Sequence, residues 1–411
     1  MELKIRYQYT NFVYPYVIQG KSITGYLEKL LANPKCKIRF FEKEKDYELY
    51  SYFLPVVREY LFWTFSFNSS KRKEFEALDD KMKAVILAKH PCTIFEYEVG
   101  NKMQGKLGEK NGIFFHIQKI EIICFSTGIC FLTFKTNVEE TSDFADVLNF
   151  NYKFRDIHSE LTALKEYENI NIQTDAFQDR KELQEFIYDI CGENKSAKDL
   201  NIDVDRFLTY TYACLEPENW NEKNNFEEIR YPFLKYTHVL PNQYQTDFNV
   251  ASMQRNYQEL DSFKYLRIGF TKVGTALLTS AMDTNNYTKL PFAYENEYFY
   301  TYILLLYKKL YLKKLNLDFQ TEKWIERPRQ NFVSFTQEIW IQEITNDEFG
   351  SSMQKKWEDV LELENHYKEV KNKYDIVYKD SNVNKTSKTN IIVTIVLLLL
   401  LILNIIHFLG L

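Results

Sequence analysis

Glycine and proline are scarce in this chain of 411 residues, at 12 and 9 residues. With so few turn and linker residues, the composition is not that of a disordered or collagen-like chain. The sequence has instead 30 tyrosines and 32 phenylalanines. We therefore expect about two to three folded domains whose cores are filled by aromatic rings.

The six cysteines include no CxxC pair, and no secretory signal is visible at the N-terminus. In a reducing compartment, such cysteines are more often buried apolar side chains than disulfides or metal ligands. The six histidines are scattered along the sequence, which argues against a metal cluster. We predict no metal site and no cofactor.

Catalytic motifs of the hydrolase, kinase and zinc-protease classes (GxSxG, HRD, DFG, HExxH) do not occur. Residues 269–274 have the two glycines of a phosphate-binding loop, but Thr275 and Ala276 stand where lysine and a hydroxyl residue are required. We interpret this segment as a β-turn. The sequence thus predicts no enzyme, and its net charge of -5 argues against direct nucleic-acid binding.

Strand patterns dominate the middle of residues 1–292. Segments 113–125 and 129–136 are β-branched and aromatic and flank a Ser-Thr-Gly turn, which predicts a hairpin. Further strands are predicted at 206–215 and 265–280. Segment 265–280 contains a turn that resembles the turn of the first hairpin. One interpretation is that a hairpin unit has been duplicated. The other is that the two turns are unrelated and need the same small residues.

Helical patterns with end signals alternate with these strands. They lie over residues 46–66 and 71–89, after the capping Asp143, and over 181–191, where Gly192 ends the helix. The mixture predicts an α+β or α/β domain with β-hairpins and helices over residues 1–292.

From residue 293 to 389 the pattern is helical. A tyrosine- and leucine-rich helix over 298–315 and a second helix over 331–344 predict a helical layer on the sheet domain. A longer stalk helix begins near Met353 and continues toward the C-terminus. These residues form the second predicted region, 293–389.

Residues 391–411 are almost wholly apolar. As a helix they would be about 31 Å long, close to the thickness of a bilayer's hydrocarbon core. Lys385 and Lys388 precede this segment and no charged residue follows it, so the positive-inside rule places the preceding chain in the cytoplasm. We predict one transmembrane helix over 390–411 that contacts membrane lipid and holds the chain in the cell membrane.

The stalk helix has an apolar seam whose members recur at alternating spacings of three and four residues. We name as the seam Val360, Leu363, Tyr367, Val370, Tyr374 and Val377. A seam this narrow favours helix pairing between identical subunits, hence a homo-oligomer. The alternative is packing of the same face against the two preceding helices of the chain.

Polar residues continue the register of the seam into the apolar segment. In an oligomer, Ser381, Asn384 and Lys388 would form rings at the mouth of a pore, whereas without association they lie in a solvated linker. Thr394 and Asn404 share one arc of the apolar segment. Polar side chains at membrane depth usually face protein or a water-filled path.

Two basic residues follow the first predicted hairpin. Lys153 and Arg155 lie near the end of a sheet, where α/β domains tend to bind ligands, and they could hold a phosphate or a nucleotide-type ligand. A surface salt bridge of Arg155 with Asp156 or Glu160 is the plainer alternative.

A cytosolic α/β domain, then helices, then a stalk helix that enters the membrane resembles the CorA family of divalent-cation channels. The similarity lies in residues 298–315 and 375–403, about the last third of the chain. It implies a homo-oligomer whose stalk helix continues as the pore-lining span. The family's Gly-Met-Asn motif and second apolar segment do not occur here, which puts magnesium selectivity in doubt.

Some CorA-like proteins serve as membrane effectors in CRISPR immunity and open when a nucleotide second messenger binds the cytosolic domain. The resemblance therefore implies a homo-oligomeric channel or membrane effector with a ligand-sensing cytosolic domain, acting in antiviral defence. The alternative is a tail-anchored binding or scaffold protein without transport activity.

Overall fold

The structure is a computed structural model, and the part of the chain that it describes falls into two compact units. The first unit comprises Met1–Tyr311 and Ile341–Glu362, and the second comprises Leu312–Trp340 and Leu363–Leu411. The described residues are 2–18, 23–64, 70–98, 103–107, 113–139, 143–157, 171–174, 181–192, 200–202, 205–244, 257–321, 326–340 and 343–409.

A mixed sheet of twelve described strands is the centre of the first unit. Its strands are β1 (Ile5–Val17), β2 (Cys36–Ile38), β3 (Cys92–Tyr97), β4 (Met103–Leu107), β5 (Ile113–Phe125), β6 (Ile129–Val138), β7 (Asn171–Thr174), β8 (Lys181–Glu182), β9 (Leu208–Leu215), β10 (Gln258–Leu260), β11 (Leu266–Phe270) and β12 (Gly274–Ser280). Their order is β10-β11-β12-β9-β1-β6-β5-β4-β7-β8, with β3 also paired to β5 and β2 paired to β3. The pair of β12 and β9 is parallel, and the other pairs are antiparallel.

Helices separate and follow these strands along the chain. They are α1 (Ile23–Leu31), α2 (Tyr47–Tyr52), α3 (Pro55–Leu61), α4 (Ser70–Glu76), α5 (Asp80–Leu87), α6 (Phe144–Phe154), α7 (Leu183–Cys191), α8 (Phe226–Thr237), α9 (Asn285–Thr288), α10 (Leu290–Ala293), α11 (Phe299–Thr321), α12 (Glu326–Ser334), α13 (Glu348–Leu361) and α14 (Leu363–Leu409). A π-helical segment precedes α11 at Tyr294–Tyr298, and another follows α12 at Phe335–Ile339.

The two faces of the sheet differ in chemistry because successive side chains of a strand point to opposite faces. On β1, Phe12 and Tyr14 belong to the main apolar core together with residues of α1, α5, α6, α7 and α8. The opposite face carries Tyr9 and Asn11, and register places Asn11 beside Tyr210 of β9. On this face Tyr210 stacks on Tyr294 at a centroid distance of 4.1 Å.

The predicted first hairpin is confirmed as β5 and β6. Gly128 in its turn has a φ of 84°, a left-handed conformation that glycine adopts without strain. The second turn also joins a hairpin, β11 and β12. The surroundings of the two hairpins differ, since β6 pairs antiparallel with β1 whereas β12 pairs parallel with β9.

Two predicted helices are each divided into two. The pattern over 46–66 contains α2 and α3, because Pro55 disfavours helical backbone at the residue before it. The pattern over 71–89 contains α4 and α5, with Asp79 accepting a bond from the Met82 amide as a new N-cap. The predicted cap at Asp143 and the stop at Gly192 are confirmed.

The prediction of one continuous stalk helix from Met353 is wrong, because the helix is interrupted at Glu362. Helix α13 ends at Leu361, Glu362 adopts a left-handed conformation with a φ of 57°, and α14 begins at Leu363. A left-handed residue ends an α-helix because its carbonyl and amide no longer follow the helical path. Val360 therefore lies on a different helix from the rest of the seam.

The predicted mixed α+β fold is confirmed. Among the residues that the structure describes, no helix is both long enough and apolar enough to cross a membrane. The transmembrane helix over 390–411 stays a prediction.

Candidate functional site

A cleft of about 430 Å³ opens in the first unit, near the end of the sheet at which β10, β11 and β12 lie. A cavity of this size is within the range of small-molecule sites. Its lining residues come from β10 and the residue before it, the residue after α8, the turn between β11 and β12, and the end of α13 with the residue that follows it. They are His238, Tyr257, Gln258, Thr271, Lys272, Val273, Asp359, Val360 and Glu362.

The turn that carries Lys272 is fixed by its own hydrogen bonds. The Thr271 amide donates to the Gly274 carbonyl at 2.9 Å, and the Gly274 amide donates to the Thr271 hydroxyl at 3.2 Å. A Cβ on Gly269 would lie 2.3 Å from the Thr237 hydroxyl oxygen. The interpretation of residues 269–274 as a β-turn is confirmed, and Gly269 permits close packing on α8.

Helix α13 forms another wall of the cleft, and Trp357 anchors it to the sheet. The indole of Trp357 is 1% exposed, and its Nε1 donates to the Thr275 hydroxyl of β12 at 2.7 Å. Its ring also meets Phe270 of β11 edge to face at 5.5 Å. This contact positions Asp359, near the end of the same helix, and Glu362, which directly follows the helix, beside the cleft.

The Lys272 ammonium and the Glu362 carboxylate form an ion pair at 3.0 Å. Lys272 lies at the tip of the hairpin turn, and Glu362 is the left-handed residue between α13 and α14. Both side chains are partly exposed, so the pair contributes about 1 kcal/mol or less to stability. The pair is thus a weak, reversible contact at the rim of the cleft, and Glu362 directly precedes α14 in the chain.

Tyr257 and His238 give the cleft an aromatic side, with ring centroids 6.0 Å apart. The Tyr257 hydroxyl donates to Glu259 at 2.5 Å, and Arg230 lies 3.4 Å from the same carboxylate. Burial, followed by the hydrogen bond to Glu259, raises the pKa of Tyr257 well above its ordinary value. The phenol therefore stays neutral, and the cleft combines ring faces with Lys272 and two carboxylates, an arrangement suited to binding a small polar molecule.

A buried lysine lies elsewhere in the first unit. Lys308 of α11 is 2% exposed, and burial lowers its pKa to about 8 although the charge of Glu358 on α13 opposes this shift. Burial also raises the pKa of Glu358, whose carboxylate accepts a bond from Gln354 at 2.7 Å. The sequence analysis did not single out this electrostatic coupling of α11 to α13.

A second feature missed from the sequence is a buried ionic cluster on the tyrosine-rich face of the sheet. Glu121 of β5 is 3% exposed and accepts bonds from Lys119 at 2.8 Å and from Tyr300 at 2.9 Å. Burial alone would raise the pKa of Glu121, but the charges of Lys119 and Arg39 hold it below its ordinary value. The signal in the sequence was the two charged residues, Lys119 and Glu121, within a largely apolar strand.

The predicted ligand residues Lys153 and Arg155 lie at the end of α6, in its last turn and at its C-cap. They are not among the residues that line the cleft. Asp156, suggested as the salt-bridge partner of Arg155, is fully buried and accepts a bond from Arg206 at 3.0 Å. Glu160, the other suggested partner, lies outside the described residues.

In the second unit, aromatic side chains of the same chain cover part of the seam. Trp340 stacks on Tyr367 with ring centroids 4.5 Å apart and planes 15° apart. The ring centroid of Phe332 of α12 lies 5.7 Å from that of Tyr367 and 5.2 Å from that of Tyr374. Val370, between these two tyrosines, is 1% exposed. Tyr367 and Tyr374 thus have aromatic partners within the chain. For these two residues, this agrees with the alternative interpretation, in which the seam packs against the preceding helices of the same chain.

The predicted pore residues all lie on α14. The side chains of Ser381, Asn384, Lys388 and Asn404 are outside the described part of the structure. Thr394 is exposed, and its hydroxyl donates to the Asn390 carbonyl at 2.8 Å. Large apolar side chains beside it are also exposed; they are Ile391, Ile392, Val393, Ile395, Val396, Leu397, Leu398, Leu399, Leu400 and Leu401.

Comparison with known proteins gives no relative for this chain. No family model matches it, and neither the curated proteins nor the solved structures contain a match. The similarity to CorA proteins stays a prediction from the sequence.

Proposed function

We propose that this chain is a membrane effector whose first unit binds a small polar ligand and thereby controls the C-terminal helix α14. The observation that carries the proposal is the Lys272–Glu362 ion pair at the rim of the cleft. A ligand that competes for either charge would act on the residue that precedes α14. The ammonium of Lys272 and the rings of Tyr257 and His238 are compatible with a nucleotide-type ligand.

Attachment to a membrane is supported by the exposed apolar side chains of residues 391–401. Contiguous exposed apolar surface of this kind is typical of contact with lipid or protein. The sequence of residues 391–411 contains no charged residue, and Lys385 and Lys388 precede it. We therefore propose a cell-membrane protein with the first unit in the cytoplasm.

The membrane activity we propose is ion conduction by a homo-oligomeric, CorA-like channel. In such an assembly Ser381, Asn384 and Lys388 would surround the cytoplasmic mouth, and Thr394 and Asn404 would face the path. A ring of lysines at the mouth would repel cations and make conduction sensitive to salt.

A tail-anchored scaffold is the second candidate, and the covered seam favours it. Because Tyr367 and Tyr374 pack against Phe332 and Trp340 of the same chain, the helix has aromatic partners without a second copy. On this account α14 anchors the chain, and the cleft recruits a ligand or partner without transport.

Ion flux through liposomes that contain the purified full chain separates the two candidates. The channel proposal predicts flux that disappears when residues 391–411 are deleted. It also predicts a larger cation flux for Lys388→Glu, with the difference shrinking at high salt. The scaffold proposal predicts no flux from either full-length form.

Insertion must be measured in the same liposomes, because Lys388 is also a topology signal. Protease accessibility of the first unit reports the orientation of wild type and Lys388→Glu. If both insert with the same orientation and remain silent with and without cell extract as a ligand source, the channel proposal is wrong.

A further inference from the structure

The seam predicted to pair between subunits is also the face that the chain itself covers. We name residues 326–340 the seam cover; they comprise α12, the π-helical segment that follows it, and Trp340. Trp340 and Phe332 contact Tyr367 and Tyr374, two members of the seam that lie seven residues apart. In a paired coiled coil, residues at this spacing contact the partner helix.

We propose that the seam residues of α14, from Leu363 to Val377, form a self-association surface for a second copy of this chain and that the seam cover is an autoinhibitory segment that must leave this surface first. The inference rests on the proposed homo-oligomer and adds its regulation. The same tyrosine rings cannot pack against Trp340 and Phe332 and also pack against a partner helix. The covered and the paired states therefore exclude each other.

The interactions between the seam cover and the seam are of a kind that can break and form again. Phe332 and Trp340 meet the seam tyrosines through their rings, with centroid distances between 4.5 Å and 5.7 Å. The end of α11 meets α14 differently: Asn316 donates to the Glu369 carboxylate at 2.7 Å, and Lys373 donates to the Asn316 carbonyl at 3.4 Å. The cover can thus leave the tyrosines while polar bonds keep α11 on α14.

A partner of the same sequence suits the exposed seam. A second copy would offer the same tyrosine and valine side chains at the same spacing, so the released rings would be buried again. The residues between seam positions include Glu364, Lys368 and Lys371, which are exposed and would remain in solvent at the flanks of a helix pair.

Cross-linking between copies at the seam tests the proposal. Val377→Cys places a thiol on a half-buried seam position, and a thiol cross-linker is applied to the full chain in membranes. Adding Trp340→Ala, which weakens the cover and leaves the seam intact, should increase cross-linking between copies by about threefold to tenfold. Phe292→Ala, which removes a 63% exposed ring of the first unit, is the matched control and should change the cross-linking little.

A second pair of cysteines tests the opposite direction. Trp340→Cys with Tyr367→Cys, joined by a short reducible cross-linker, should hold the cover in place and keep the chain monomeric in detergent, and reduction should restore the oligomer. In this arm the cross-link, and not the ring of Trp340, holds the cover on the seam. The parent chain treated with the same reagent controls for its six native cysteines.

Three results would overturn the inference. They are cross-linking that is unchanged in Trp340→Ala, an oligomer of equal mass in the linked and reduced forms, and a monomer under every condition. The liposome flux is read separately. If ion flux is observed but cross-linking does not change when the cover is weakened, only this inference is wrong. If cross-linking depends on the cover but no ion flux is observed, the inference is supported and the channel proposal is wrong.

Discussion

Trp357 Nε1 donates a hydrogen bond to the Thr275 hydroxyl at 2.7 Å, and both side chains are 1% exposed. This bond joins α13 to β12 beneath the cleft. Trp357→Phe keeps an aromatic ring but leaves the buried hydroxyl without this donor, so we expect a loss of about 1–3 kcal/mol in the free energy of unfolding. Chemical denaturation of the two proteins measures the difference.

A double-mutant cycle assigns this loss to the bond itself. Thr275→Val should be less harmful in the Trp357→Phe background than in wild type, with a coupling energy of about 1 kcal/mol. Strictly additive effects would mean that the indole acts through packing alone.

The partly buried carboxyl of Glu297, in the π-helical segment before α11, should make the stability of the chain depend on pH. Burial, and then the charges of Glu48 and Asp347, raise the pKa of its carboxyl from 4.5 to about 7. The folded chain thus prefers the protonated form, and its stability should fall as pH rises from about 4.5 through about 7.

Glu297→Gln removes this charge and should raise the free energy of unfolding at pH 8. The full shift corresponds to about 3 kcal/mol, and the partial exposure of Glu297 reduces the expected gain to about 1–2 kcal/mol. Below pH 4 the variant and wild type should agree. The exposed Glu343 provides a control, since Glu343→Gln should stay within about 0.5 kcal/mol of wild type at each pH.

Two glycines with different surroundings test the packing beside the cleft. A Cβ on Gly274 would lie 2.1 Å from the Thr209 carbonyl oxygen, in the middle of the sheet, whereas a Cβ on Gly25 of α1 would have no atom within 4 Å. Gly274→Ala should destabilise the chain by about 1–3 kcal/mol or more. Gly25→Ala should be neutral or stabilising by up to about 1 kcal/mol, because alanine favours helix. Urea midpoints that rank the two variants in the opposite order would contradict this packing.

Local signals in the sequence predicted the parts of the fold that depend on neighbouring residues. The hairpin of β5 and β6 follows from two apolar strand patterns around Gly128, and α6 begins at the cap that Asp143 supplies. These features depend on contacts within a few residues, which the linear pattern contains.

The candidate site could not be predicted in this way. Glu362 is an ordinary helix-forming residue, so nothing in its identity indicated the left-handed break before α14. The cleft brings together residues near positions 238, 257, 272 and 360, and their proximity results from the pairing of β10, β11 and β12 and the anchoring of α13. The seam was recognised, but its spacing alone could not distinguish a second copy from the rings of Phe332 and Trp340.

Ion flux from liposomes with exchanged charges at Lys272 and Glu362 tests the central claim that the cleft controls α14. Lys272→Glu and Glu362→Lys each replace the 3.0 Å ion pair with like charges, and the double variant restores opposite charges. Because an exposed pair contributes about 1 kcal/mol or less, each single variant should change the flux per inserted chain by up to about fivefold in the same direction, and the double variant should return it toward wild type. Wild-type flux that neither single variant alters, or no flux from any correctly inserted form, would contradict the account.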